Sequence, residues 1–268
     1  MAQISSISNA RIRRVLALMR STRRRMREGL MVIEGARLLT EALRSSVRPI
    51  EIFLTQAFIQ ADRAEDVLLP QLSAGLDPGV KIFFVTETVM RKMAGTVTPQ
   101  GVIAVTPIPN LLPDTHVTPL WLIPDQIRDP GNLGTILRTA WAAGITEVLI
   151  PAGSVDYTQP KVVRAAMGAH YHLPIRQVTW DQIDEIIGGD THVLLADAHG
   201  EQPYDAVDWS KRSALIVGGE AAGASSDARA RAHTLYIPMA PGVDSLNVAI
   251  ATGILLFEAT RQRRQHRV

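Results

Sequence analysis

The 268-residue sequence contains no cysteine. That excludes disulfides, thiolate zinc sites and iron–sulfur clusters, and it fits a cytoplasmic protein. No apolar run approaches the roughly 18 to 20 residues of a membrane-spanning helix, so no membrane partner is expected. The N-terminus has no apolar signal core and is rich in arginine, which reads as no secretion signal. A P-loop is missing, and so is a GxGxxG followed by an acid at the right distance, which counts against a nicotinamide-dependent oxidoreductase. His170 and His172 have no third ligand spaced for zinc, so no metal is expected and both read as surface or packing residues. Trp121, Trp141, Trp180 and Trp209 are scattered and read as core or boundary positions. The serines of "GASSD" form no nucleophile elbow.

What the chain does have is a normal globular share of apolar residues, 46%, and a net charge of only +2 that is unevenly placed. Residues 11–27 hold eight arginines and no lysine, and the C-terminal "RQRRQHRV" is basic as well. One such run reads as a solvated helix face; two at opposite ends favour a polyanion partner. Arginine suits bidentate phosphate contact, which makes Arg11, Arg13, Arg14, Arg23, Arg24 and Arg25 the candidates for contacting that polyanion.

The pattern predicts a helix over 5–28, then alternating elements: strands at 30–34, 49–55, 80–86 and 101–107, with helices between them, including one in "AEDVLLPQLSAG". A segment with four prolines, 107–119, reads as a linker between an N-terminal α/β domain (1–106) and a second domain (120–268). There the alternation restarts, with strands near 120–124, 147–151, 174–178, 192–197, 214–218 and 235–239 and a long helix over 245–263. Apolar strands alternating with helices imply an α/β fold with a parallel sheet covered on both faces.

Ligands of such sheets gather beyond the carboxyl ends of the strands, and three loops there stand out. In "DQIRDPGNLGTILRTA" Asn132 reads as the cap of a helix that starts at Leu133. Arg138 is four residues after Gly134, which clears space beside the guanidinium. In "LIVGGEAAGAS" a buried strand runs into Gly218-Gly219-Glu220, where glycines permit a tight turn and a close approach of ligand to backbone. In "LYIPMAPGVDSLNVAIATG" Asp244 or Ser245 reads as the cap of the last helix. Asn247 falls two or three positions inside that helix, where asparagine is a poor helix former.

Together the three loops resemble the signature motifs of the SpoU (TrmH) branch of the SPOUT superfamily, RNA ribose 2′-O-methyltransferases. "NLGTILRTA" is similar to the first motif, "VGGEAAG" to the second and "IPMAPGVDSLNVAIATGILLFE" to the third, in matching order across 119–263. "VIEGARLLTEAL" and "TPQGVIAV" resemble, more loosely, the substrate-binding domain that precedes the catalytic one in many members. Two positions depart from the pattern: Ala221 stands where the family usually has glycine, and Ala249 where it often has serine.

The resemblance implies an S-adenosylmethionine-dependent enzyme with a deep trefoil knot, acting as a homodimer on structured RNA. Gly218, Ile237, Met239 and Leu246 would line the cofactor pocket. Ser245 and Asn247 would hold the target nucleotide or Arg138, Glu220 would orient Arg138 or Asn132, and Arg138 would act at the 2′-OH. The separate N-terminal domain favours ribosomal RNA over tRNA. A tRNA enzyme and a non-catalytic RNA-binding assembly factor of the same fold remain the alternatives.

Overall fold

The computed structural model describes residues 3–60, 79–220 and 223–265. The helix expected over 64–75 lies outside them. The chain forms two compact units, Met1–Pro109 with Asp156–Tyr171, and Asn110–Val155 with His172–Val268.

The first unit is built on a four-stranded sheet of β1 (Leu30–Glu34), β2 (Glu51–Leu54), β3 (Lys81–Phe84) and β4 (Val102–Pro107), in the order β1-β4-β2-β3. β4 runs antiparallel to both neighbours, and β2 and β3 are parallel. Alternation along the strands separates two cores, as a period of two dictates. Met31, Ile33 and Ile52 pack with α3 (Ala36–Arg44), and with Val163 and Tyr171 of the returning segment. Val32, Phe53 and Ile103 pack with α1 (Ala10–Arg20) and with a later helix, Glu87–Met93.

The helix expected over 5–28 is two helices. α1 starts after Asn9, whose side chain accepts from Arg11 N, and it ends at Ser21. Ser21 N–H donates back to Ala17 O, and its Oγ accepts from Arg24 N at 3.2 Å, capping α2 (Thr22–Glu28). A serine with extended backbone, whose side chain takes a free N–H of the following helix, favours an interruption over a continuous helix.

The second unit holds seven parallel strands: β5 (Leu120–Asp125), β6 (Glu147–Ile150), β7 (Ile175–Gln177), β8 (His192–Ala196), β9 (Gln202–Pro203), β10 (Ser213–Gly218) and β11 (His233–Tyr236). Their order is β7-β6-β5-β10-β8-β11-β9, and every pairing is parallel. The strand order reverses between β5 and β10, which opens a crevice beyond their carboxyl ends. At that point Asp125 stands opposite Gly218 in register. Asp125 is fully buried, and its Oδ2 accepts from Ser225 N at 2.6 Å, tying the loop after β10 to the end of β5.

The last helix spans Val248–Gln265, so it begins three residues later than the sequence pattern suggests. It packs along the helix Pro130–Ala143: Thr260 Oγ1 donates to Ala143 O, and Gly253 lies against Thr139. Its buried face carries Val248, Ala249, Thr252, Leu255, Leu256 and Ala259, while Ile250 and Phe257 are exposed.

Candidate active site

A cavity of about 280 Å³ opens at the carboxyl ends of β8, β10 and β11. Val217, Leu235, Ile237, Met239, Leu246 and Val248 give it apolar walls, and Gly218, Gly219, Glu220 and Ser245 add backbone and polar groups. Gly218, at the end of β10, and Ile237, Met239 and Leu246, from the stretch after β11, therefore share one space. The glycines serve the chain itself as much as any ligand. A Cβ on Gly219 would sit 2.2 Å from Gln126 O, and one on Gly218 would sit 2.6 Å from Ala224 N. Both contacts are with backbone, so no side chain fits there.

Two charged lining residues escaped the sequence reading. Asp197, just beyond β8, accepts from Arg229 Nη1 at 2.8 Å, and both face the cavity. The backbone N–H of His199 holds the Asp197 carboxyl below the usual range. Burial opposes that shift, and Arg229 reinforces it. The available signal was position alone: an acid directly after a strand of the parallel sheet.

At the cavity mouth three side chains from the three loops form one network. Asn132 Nδ2 donates to Glu220 Oε1 at 2.7 Å, and Asn247 Nδ2 donates to the same oxygen at 2.9 Å. Asn247 Nδ2 also lies 3.1 Å from Asn132 Oδ1. Neither asparagine has the local role the pattern suggests. Asp129, not Asn132, caps the helix Pro130–Ala143, accepting from Asn132 N at 2.8 Å. Proline is favoured in a first turn because it has no N–H to leave unbonded, so the helix starts earlier and frees the Asn132 side chain. Asn247 is not inside the last helix but caps it: its Oδ1 accepts from Ala249 N at 2.9 Å and Ile250 N at 3.3 Å. Asp244 and Ser245 are exposed and take no part in that cap.

Arg138 stands apart. It is exposed on the same helix as Asn132, makes no hydrogen bond or ion pair among the described residues, and does not line the cavity. Ala221 lies outside the described residues.

The profile of the SpoU rRNA Methylase family matches residues 119–257, and that of the MRM3-like substrate binding domain matches residues 9–104. The chain belongs to the SpoU rRNA methylase family. It is 35% identical to rRNA methyltransferase 3A, mitochondrial, of Danio rerio, with 94% of this chain and 68% of that protein covered. It is 31% identical to the 23S rRNA (guanosine(2553)-2'-O)-methyltransferase RlmP of Bacillus subtilis, with 96% and 98% covered. An AdoMet-bound rRNA methyltransferase structure from Sinorhizobium meliloti matches with a TM-score of 0.81 and 29% identity, covering 97% of each chain. The A. aeolicus TrmH/SpoU tRNA modifying enzyme covers only 56% of this SpoU chain, at a TM-score of 0.50 and 27% identity.

Part of the arginine-rich start of this SpoU protein is paired with the carboxylates of Glu28, Glu51 and Asp156. Arg25 is only 2% exposed: its Nη1 donates to Leu18 O, its Nε to Thr158 Oγ1, and its Nη2 pairs with Asp156. The structure thus removes Arg25 from any RNA-facing surface. Arg11 pairs with Glu51 at 2.6 Å and lies over the Phe83 ring. Arg14 and Arg24 share Glu28. Of the six candidates, Arg13 and Arg23 are exposed and make no ion pair among the described residues.

Proposed function

We propose that the chain transfers a methyl group from S-adenosylmethionine to a ribose 2′-OH of ribosomal RNA. The Asn132–Glu220–Asn247 network carries this reading, because it draws three separate loops together at the mouth of an apolar-walled cavity. Exposed backbone at strand ends and apolar walls fit an adenosine. Gly218, Ile237, Met239 and Leu246 would hold it. When bound, the sulfonium supplies an already activated methyl group.

The protein's task is then to position the hydroxyl and ease loss of its proton. Ser245 and Asn247 would hold the target nucleotide, with Glu220 fixing the amide of Asn247. Arg138 would contribute a permanent positive charge. A guanidinium stays protonated in proteins, so it suits stabilising a developing alkoxide or gripping a phosphate better than accepting a proton. Ribosomal RNA is favoured over tRNA because the rRNA relatives match along nearly the whole chain, while the tRNA enzyme matches little more than half. The apolar residues Ile250 and Phe257, exposed on the helix that starts at the cavity, support a homodimer.

The test is methyl transfer from tritiated S-adenosylmethionine to rRNA by the wild type and by Arg138→Ala. The variant should keep its fold and its calorimetric cofactor affinity and lose transfer. Full activity in Arg138→Ala would overturn the role of that residue. Cofactor binding by the wild type without any transfer would favour the non-catalytic assembly factor.

A further inference from the structure

Within the first unit a second slot of about 280 Å³ is formed by the end of β1, the start of α3, the loop 95–100 and the returning segment at Arg164 and Met167. Its floor is apolar, with Leu38 and Met167, and its rim carries Arg37, Thr98 and Gln100. The loop is tied down at both ends. Glu34 accepts from Gly95 N at 2.9 Å and from Thr96 Oγ1, while Gln100 Oε1 accepts from Ala36 N at 3.0 Å. Between these anchors the loop holds Val97 in solvent, 96% exposed.

The charge around the slot is positive. Glu34, the one carboxylate among the described lining residues, is mostly covered, faces Arg164 Nη1 at 3.5 Å and already accepts two hydrogen bonds. Arg37 is exposed and makes no hydrogen bond or ion pair among the described residues. The helix leading into the loop ends in Arg91 and Lys92. Met167 holds φ +52°, the left-handed conformation that ends the helix Pro160–Ala165 just after its cap Ala166 and turns the chain into the slot.

An apolar floor, a guanidinium with no partner of its own and hydroxyl and amide groups at the rim are what an unstacked base and its phosphate require. Pre-anchoring of the loop lowers the ordering cost of binding. We propose that this slot takes one unpaired nucleotide of the RNA substrate, its base against Leu38 and Met167 and its phosphate toward Arg37. The inference rests on the rRNA reading above and adds a second contact point to it.

The test uses the full chain, a 23S rRNA transcript and the double variant Arg37→Ala/Thr98→Ala. Both residues are exposed and make no hydrogen bond or ion pair among the described residues, so the fold should be untouched. Filter binding should show at least a fivefold weaker rRNA affinity, with S-adenosylmethionine affinity by calorimetry unchanged. Crosslinking at 254 nm should attach nucleotides to the peptides holding residues 95–100 or 164–167. An rRNA affinity within fivefold of the wild type, or crosslinks confined to other peptides, would overturn the slot and leave the methylase reading intact. Failure of the wild type to bind rRNA would take both down.

Discussion

Asn247 donates through Nδ2 to Glu220 Oε1 at 2.9 Å while its Oδ1 caps the last helix. One side chain thus does two jobs with its two ends, and a substitution can separate them. Aspartate caps a helix as well as asparagine does. It brings no donor, however, and sets a carboxylate beside Glu220. Asn247→Asp should therefore unfold within a few degrees of the wild type and lose at least tenfold in methyl transfer. Asn247→Ala should lose activity and also about 1 kcal/mol of stability with the cap. Near-normal turnover in Asn247→Asp would show that the network is not needed for transfer.

Arg25 belongs to the interior, not to an RNA-binding face. Burial raises the Asp156 carboxyl, yet the hydrogen bonds from Arg25 and Thr158 outweigh it and leave Asp156 below its ordinary range. Removing one partner of a buried pair strands the other charge, at a cost of about 3–5 kcal/mol. Arg25→Ala should show that loss in urea unfolding. Arg13→Ala/Arg23→Ala should leave stability within about 0.5 kcal/mol, as exposed substitutions do. If those two touch RNA, their loss should also flatten the salt dependence of binding. Equal stability of Arg25→Ala and the wild type would contradict the structural role.

How much of this was legible in sequence follows from the range of the forces involved. Strands such as β5 and β10 are short apolar runs ended by turn residues, and any reading of period and punctuation finds them. The two residues of β9 pair with β11 but are too few to carry a period. Ser21 looks like one polar residue in a helical run, and only its extended backbone and its side-chain bond to Arg24 N reveal a break. The arginine run announces charge without saying which members turn inward, because Arg25 is held by Asp156, 131 residues away. Asn132, Glu220 and Asn247 were found through their motifs, yet capping rules misplaced both asparagines. Those rules weigh near neighbours, and Glu220 is a neighbour only in space.

The proposed homodimer can be tested on the last helix. Ile250 and Phe257 are 58% and 48% exposed, although another face of the same helix is buried. A charge placed in an apolar interface core is desolvated without a partner, so Phe257→Glu should shift the protein from dimer to monomer in sedimentation velocity. The substitution should leave the monomer's thermal stability intact, because Phe257 is exposed in the single chain. A monomeric wild type at the same concentration would remove this reading.

Buried His170 predicts an acid-sensitive fold. It is 2% exposed, and its Nε2 must be the protonated nitrogen, because it meets Tyr157 O, an acceptor only, at 2.8 Å. Its Nδ1 is buried without a partner among the described residues. Burial lowers the imidazole pKa to about 4. The bond to Tyr157 and the nearby Asp156 charge oppose that shift only partly. The unfolded chain, with a value near 6.5, therefore takes up a proton that the folded chain refuses. The stabilisation is complete above pH 6.5 and falls as pH drops toward 4, by about 2 kcal/mol at pH 5. The contribution of Asp156 has the opposite origin, a depressed carboxyl, and is lost only at lower pH, so the two windows separate. His170→Gln keeps a donor for Tyr157 O and cannot titrate. Urea unfolding at pH 7 and pH 5 should show a drop in the wild type that shrinks by about 2 kcal/mol in the variant, and an equal drop in both proteins would rule His170 out as its source.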